Sequence, residues 1–273
     1  MSGYCLQNRT IFKGINQIRA GQIINLNNNN SFYYKFLPEK NTFIQSESNL
    51  IKKLDQISNN IFKKIVEKYK NKKILVPLSG GLDSRFVLAK LIENNCKNIE
   101  AFTYGEYNNG EYKIAKKIAN ELNIKLRFIG TLANDTRKYF KKTKRKEYFS
   151  FSSNFCSTPN MQEYFVIQKI IDENIYDTEN IVIVNGQAGD FITGGHIPIN
   201  FSKDKKLNKI YQEILLKHFN LWGNLSNTDN NNYIKSVIKN TFDEVEISLI
   251  KQDPEFLYSY WEWSERQTKF VSN

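Results

Sequence analysis

The stretch ILVPLSGGLDSRFVLAKL, Ile74–Leu91, decides how this chain folds. An apolar run ends in a glycine pair, an Asp and a Ser follow, and apolar residues then recur at helical spacing. That order reads as a buried strand, a turn and a helix. Gly80 and Gly81 let the backbone turn tightly and approach a phosphate, and the following helix offers that anion its free N–H groups and positive dipole end. Ser79 and Ser84 can donate hydroxyls, and Asp83 beside bound phosphates suits a Mg2+ ligand. The lysine of the common nucleoside-triphosphate loop is missing.

Outward from this stretch the pattern alternates. KILVPL (73–78) reads as a strand and SRFVLAKLIENN (84–95) as a helix. IEAFTYG (99–105), GEYKIAKKIANEL (110–122) and KLRFIG (125–130) repeat strand, helix and strand, and a helix near 161–173 precedes NIVIVN (180–185). Such alternation predicts a parallel sheet with helices on both faces and a ligand site at the carboxyl ends of the strands. Upstream, SNLIKKLDQISNNIFKKIVEKYKNK (48–72) carries Leu50, Leu54, Ile57, Ile61 and Ile65 at three-to-four spacing and predicts an amphipathic helix, with Ser46 or Ser48 as its cap. TIFKGINQI, GQIINL and SFYYKFL, within the first forty residues, read as short strands. Beyond Lys205 the pattern is helical, in LNKIYQEILLKHF, YIKSVIKNTFDEVEISLI and PEFLYSYWEWSERQTKF. NLNNNN (25–30) and NTDNNN (227–232) read as loop tips.

The bulk numbers agree with a packed globular chain. It has 273 residues, 40% hydrophobic and 14% aromatic, enough to remove roughly 75% of its unfolded surface from water. No apolar run approaches the ~20 residues of a membrane span, and MSGYCLQNRT has no signal-peptide pattern, so a cytoplasmic protein is expected. Cys5, Cys96 and Cys156 have no C-x-x-C spacing and read as reduced thiols. A net charge of +11 is partly concentrated in TRKYFKKTKRKEY, 136–148. With no aromatic-basic recognition module beside it, that run reads as a solvated helix face, and nucleic acid is not the favoured partner.

SGGLDS, Ser79–Ser84, resembles the signature of the PP-loop ATP pyrophosphatases. Three further stretches resemble the synthetase domain of glutamine-dependent asparagine synthetases: AFTYG (101–105), CSTPNM (156–161) and NGQAGDFITGG (185–195). The resemblance implies a Rossmann-like, adenine nucleotide α-hydrolase type of α/β domain with a helical C-terminal part, and ATP with Mg2+ as cofactors. It implies that the loop, Ser79, Gly80, Gly81, Asp83 and Ser84, holds the pyrophosphate as a leaving group while a substrate oxygen attacks the α-phosphorus. Leu78, Tyr104, Gly105, Asn185 and Gly186 match adenosine-binding positions. Asp190 matches a second carboxylate holding Mg2+ with Asp83, and CSTPNM matches a loop that binds the carboxylate substrate. Gln187 stands where the family has a glutamate near the reacting carboxylate and ammonia. It completes the implied catalytic set of Asp83, Asp190 and Gln187, although it cannot serve as a base. Phe191 replaces a further acid, and His196 follows close by.

The same resemblance gives a domain division. Residues 1–45 match the closing strands of a glutaminase-like domain whose remainder, with its N-terminal cysteine nucleophile, is not in this chain. Residues 46–273 match the ATP-binding domain, incomplete at its C-terminus because the family's transition-state lysine lies further downstream. The implied partners are a small-molecule carboxylate and ammonia from the missing glutaminase domain, and a homodimer is left open. Aspartate amidation is the leading activity. Amidation of a sugar acid for a polysaccharide, a PP-loop tRNA-modifying enzyme and a catalytically silent ATP-binding domain are the alternatives.

Overall fold

The computed structural model describes residues 2–25, 27, 30–36, 46–131, 133–198, 207–220, 222–244 and 254–271. In chain order they form a hairpin of β1 (Gln22–Ile24) and β2 (Asn30–Phe32), α1 (Glu47–Lys68), β3 (Lys73–Pro77), α2 (Leu82–Glu93), β4 (Ile99–Gly105), α3 (Gly110–Glu121) and β5 (Leu126–Gly130). Then follow α4 (Ala133–Lys141), α5 (Lys144–Ser153), α6 (Met161–Asp172), β6 (Ile181–Ile183), α7 (Gly189–Ile192), α8 (Leu207–His218), α9 (Thr228–Asp243) and α10 (Pro254–Trp261), which continues as a π-helix, Glu262–Val271. The chain divides into two compact units. A sheet unit comprises Glu39–Arg145 and Asn160–Gly189, and a helical unit comprises Met1–Pro38, Lys146–Pro159 and Asp190–Asn273.

The sheet unit is an α/β layer built on four parallel strands in the order β5-β4-β3-β6. Alternation along β3 divides its side chains between two cores. Ile74, Val76 and Leu78 pack with Val87, Leu88 and Leu91 of α2 and Ala115 and Ala119 of α3. Leu75, between them, packs with Phe102, Ile129 and Val166 and Ile170 of α6. Helices therefore cover both faces, as the strand–helix alternation predicts. Buried Glu100 on β4 accepts from Tyr176 Oη at 2.6 Å and meets Lys73 Nζ at 3.2 Å and Arg127 Nε at 3.3 Å. Burial alone would raise this carboxyl, but the hydrogen bonds from Tyr176, Lys73 and Arg127 hold it below its ordinary range.

In several places the structure departs from the sequence pattern. Helix α1 forms where predicted, but Leu50, Leu54, Ile57 and Ile61 stay 48%, 48%, 56% and 51% exposed. The buried positions are Ser58 and Phe62, with Ile65, Val66 and Tyr69 packed on the same core. Ser46 is its N-cap residue, yet its side chain makes no capping bond. Thr10–Ile18 forms no strand and contributes one isolated pairing, Arg9 with Asn16. Asn227 caps α9 by accepting from the Asn230 amide, so NTDNNN starts a helix instead of tipping a loop. In NLNNNN, Asn25 and Asn27 lie between β1 and β2, Asn30 opens β2, and 26, 28 and 29 lie outside the described residues, as do 245–250 of the second predicted C-terminal helix.

The helical unit has its own core, in which Ile210, Tyr211 and Ile214 of α8 pack with Ile234, Val237 and Ile238 of α9 and Tyr258 and Trp261 of α10. Here the chain's first residues pair with Ser157: Tyr4 and Ser157 form an antiparallel bridge. Phe191 packs on Phe36 and on His196, with ring centroids at 5.4 and 4.8 Å. Among the described residues no helix is long and apolar enough to cross a membrane.

Candidate active site

The sheet's connectivity reverses beside β3, because β4 and β5 follow on one side of it and β6 returns on the other. A crevice at the carboxyl ends of the strands where the order reverses is where ligands of open α/β sheets bind. A cavity of about 710 Å³ opens there. Leu78, Ser79, Gly81, Asp83 and Ser84 line it from the end of β3 and the start of α2, and Tyr104 and Gly105 line it from the end of β4. Asn185, Gly186 and Gln187 contribute from the loop after β6. These sequence-predicted residues are thus brought together in one unit. Gly80 is not part of the lining and instead packs against Ile114, where an added Cβ would come within 3.2 Å.

Hydrogen bonds fix the loop from within. The Ser79 amide donates to buried Ser84 Oγ at 3.1 Å, the two hydroxyls lie 3.1 Å apart, and the Gly81 amide donates to Ser79 Oγ at 3.1 Å. Gly81 is the N-cap of α2, with an extended backbone (φ −77°, ψ 164°) and no side-chain cap. Those dihedrals suit any residue, so glycine here gives a ligand space to approach, not an unusual turn. The first turn of α2 is left with amides that no side chain caps, an anion site by geometry and dipole. Gly105 is different: its φ of +114° is a conformation that side chains resist.

The second loop closes tightly on Asp83. An added Cβ at Gly186 would lie 2.7 Å from the Asp83 carbonyl carbon, and one at Gly189 would lie 2.1 Å from its carboxyl carbon. Both glycines are therefore required by close approach. The Gln187 amide donates to Asn185 Oδ1 at 3.3 Å, an Asx turn that leaves both side chains exposed to the cavity.

Sequence reasoning passed over several residues here. Arg85 donates to the carbonyls of Gly81 at 3.1 Å and Gly80 at 3.4 Å and so braces the loop. Its position, one residue after Ser84, was the only available signal. Glu111 and Glu163 line the cavity, and burial raises the Glu163 carboxyl above its ordinary range. Burial, then the charges of Glu163 and Glu111, raises the Tyr104 phenol. With Asp83 the lining holds three carboxylates and, among the described residues, no Lys, Arg or His. Phosphates in such a place need a metal cation as well as the helix amides, so the residues present suit Mg2+ bound with ATP.

The other predicted residues lie in the helical unit. Asp190 is in α7, covalently next to Gly189. His196 is buried, with Nδ1 3.3 Å from the Asp190 carbonyl and Nε2 3.2 Å from Ser259 Oγ. Burial lowers its pKa, which favours the neutral ring, and both nitrogens lie within hydrogen-bond distance of a partner. Cys156–Pro159 belong to the helical unit, while Asn160 and Met161 belong to the sheet unit. The basic run is partly neutralised: Lys142 pairs with Asp172, and the Arg145 guanidinium lies 4.3 Å from the Phe140 ring centroid.

A glycine-pair loop opening a helix at the switch point of a parallel sheet defines a phosphate-binding α/β protein. More specifically, the chain belongs to the asparagine synthase family, whose model matches residues 68–265. Membership supports an ATP-dependent amide-forming or adenylating function. Among solved structures, the NH3-dependent NAD synthetase of Campylobacter jejuni matches at 16% identity, covering 81% of this chain and 96% of that one, with a TM-score of 0.39. A U34-tRNA thiolase of Methanococcus maripaludis matches at 14% identity, covering 74% and 79%, with a TM-score of 0.28. No curated protein matches the sequence.

Proposed function

We propose that this chain carries the ATP site of an amide-forming ligase that adenylates a carboxylate, with aspartate as the leading acceptor. The observation that carries this reading is the SGGLDS loop, set at the carboxyl ends of β3, β4 and β6 in a cavity lined by three carboxylates and, among the described residues, no cationic side chain. Ser79, Gly81, Ser84 and the first-turn amides of α2 bind the β- and γ-phosphates, and Gly80 shapes the turn beside them. Leu78, Tyr104, Gly105, Asn185 and Gly186 form the adenosine pocket. Asp83 holds Mg2+, with Asp190 as the second carboxylate by the family pattern. Bound Mg2+ supplies the charge that makes pyrophosphate a good leaving group.

The acceptor's carboxylate oxygen attacks the α-phosphorus as pyrophosphate departs, and ammonia then displaces AMP. A glutaminase-like domain is the proposed source of the ammonia, by the resemblance of residues 1–45 to the closing strands of such a domain. Gln187 orients the acceptor without acting as a base. Its uncharged amide, with Phe191 in the following turn, favours a second reading, in which the acceptor is another acid such as a sugar acid.

The test is AMP and pyrophosphate release from Mg-ATP with ammonium, with and without aspartate, for the wild type and Asp190→Ala. Aspartate-dependent release that the substitution removes supports the reading. Release with a sugar acid but not aspartate reassigns the acceptor. ATP binding with no AMP from any acceptor makes the chain a silent nucleotide-binding domain.

A further inference from the structure

Outside the ATP cavity, the helical unit places two cysteines opposite each other. The Thr158 amide donates to the Gly3 carbonyl at 2.7 Å and the Cys5 amide to the Cys156 carbonyl at 2.6 Å, flanking the antiparallel pair Tyr4–Ser157. In that pattern Tyr4 and Ser157 are the non-hydrogen-bonded pair, and Cys5 and Cys156 follow it joined by a single backbone bond, because the Cys156 amide turns to the Ser153 carbonyl at 2.9 Å. The bond from the Cys5 amide to the Cys156 carbonyl keeps the two Cα atoms within about 6 Å, close to the spacing of an antiparallel pair. A disulfide requires about 4.4–6.8 Å. Cys5 is half-buried and Cys156 is 1% exposed, so one thiol is open to a small reagent and the other waits behind it. The two thiols also interact: after burial, the nearness of Cys156 is the next largest influence raising the Cys5 pKa, while Lys269 lowers it. The Lys269 ammonium donates to the Cys5 carbonyl at 3.2 Å and fixes the residue in place.

We propose that Cys5 and Cys156 are a redox-active pair that closes into a cross-strand disulfide and fastens the N-terminal segment to the head of the CSTPNM segment. The oxidant is a low-molecular-weight disulfide of the glutathione class. The Cys5 thiolate attacks one of its sulfurs, forming a mixed disulfide and releasing one thiol. The Cys156 thiolate then attacks the Cys5 sulfur, the protein disulfide forms, and the second thiol departs. The two protein thiol protons end on the two released thiols, and the two electrons reduce the oxidant. Cys96, half-buried in the sheet unit, is the internal control.

The experiment incubates the full native chain with glutathione disulfide, quenches with acid and maps peptides without reduction. The expected product is a peptide linking Cys5 to Cys156 in most chains, with the loss of two hydrogen masses and Cys96 not linked, reversed by dithiothreitol. The oxidised chain melts several degrees higher, because a long loop has been closed. Cys5→Ser and Cys156→Ser each remove the link and the melting shift, whereas Cys96→Ser keeps both. Cys5→Ser, at a half-buried position, keeps the test readable if Cys156→Ser fails to fold. A glutathione adduct that persists on Cys5, a link to Cys96 or a link only between chains would overturn the proposal.

Discussion

In the helical unit, Glu262 and Glu265 are both 0% exposed, and each meets a cation one turn further along the same helix. Glu262 pairs with Arg266 at 2.6 Å and approaches His218 at 3.0 Å, and Glu265 pairs with Lys269 at 2.6 Å. In the sheet unit, Asp83, Glu111 and Glu163 instead open onto a cavity that, among the described residues, no cationic side chain lines. The two arrangements obey the same electrostatics and serve opposite ends. A buried charge without a partner is too costly to keep, so the helical unit sets a cation beside each of Glu262 and Glu265. At the cavity, by contrast, Glu111 and Glu163 are exposed and Asp83 is half-buried, so these carboxylates stay open to an incoming cation or ligand.

That contrast can be broken by removing a carboxylate from each side. Glu265→Ala has the largest expected effect on stability. It takes the carboxylate partner from Lys269, whose side chain is 4% exposed, and leaves the Gln7 amide without its 2.8 Å acceptor. A loss of about 3–5 kcal/mol is expected in a urea unfolding curve. A change below about 1 kcal/mol would mean that the pair is not structural.

Acid titration sharpens the same side. Burial alone would raise the Glu262 carboxyl, but the neighbouring His218 and Arg266 outweigh it and hold the group at about 2, against an ordinary value of 4.5. A depressed folded pKa stabilises the fold above the unfolded value, and that stability is lost as pH falls from 4.5 towards 2. Glu262→Gln should flatten the fall in melting temperature across this window; an unchanged slope would remove Glu262 from the account.

On the cavity side, Gly186→Ala places a Cβ 2.7 Å from Asp83 backbone, which cannot easily give way. A cost of about 1–3 kcal/mol is expected, with ATP affinity falling about tenfold or more as Asp83 moves. Arg85→Met has a smaller effect. It removes two hydrogen bonds to loop carbonyls, about 1 kcal/mol in total, and should weaken ATP binding about fivefold in a fluorescence titration without changing the fold.

The sequence showed the strand order's ingredients and the phosphate loop because both depend on local rules. Strand–helix alternation forces a parallel sheet, and SGGLDS carries its own turn and helix start. The residues it concealed depend on distant packing. The spacing of Leu50, Leu54, Ile57 and Ile61 signals an amphipathic helix but cannot say which face is covered, and the core took Phe62 and its neighbours instead. Asn227 could be read equally as a loop tip or as a helix cap, because one side-chain oxygen serves both. Glu163 sits in the apolar pattern of α6 and gains meaning only once that helix lies beside β4 and the cavity. The opposed pairing of Cys5 and Cys156 joins residues far apart in the chain, and no spacing rule reveals it.

Loop amides and a metal ion are proposed to hold the phosphates in this cavity in place of the missing lysine. The most direct measurement is calorimetric binding of ATP in excess Mg2+ and in EDTA, repeated with Asp83→Asn. The account predicts binding about tenfold or more tighter with Mg2+, an advantage that Asp83→Asn removes. Equal affinity in Mg2+ and EDTA, unaltered by the substitution, would contradict it.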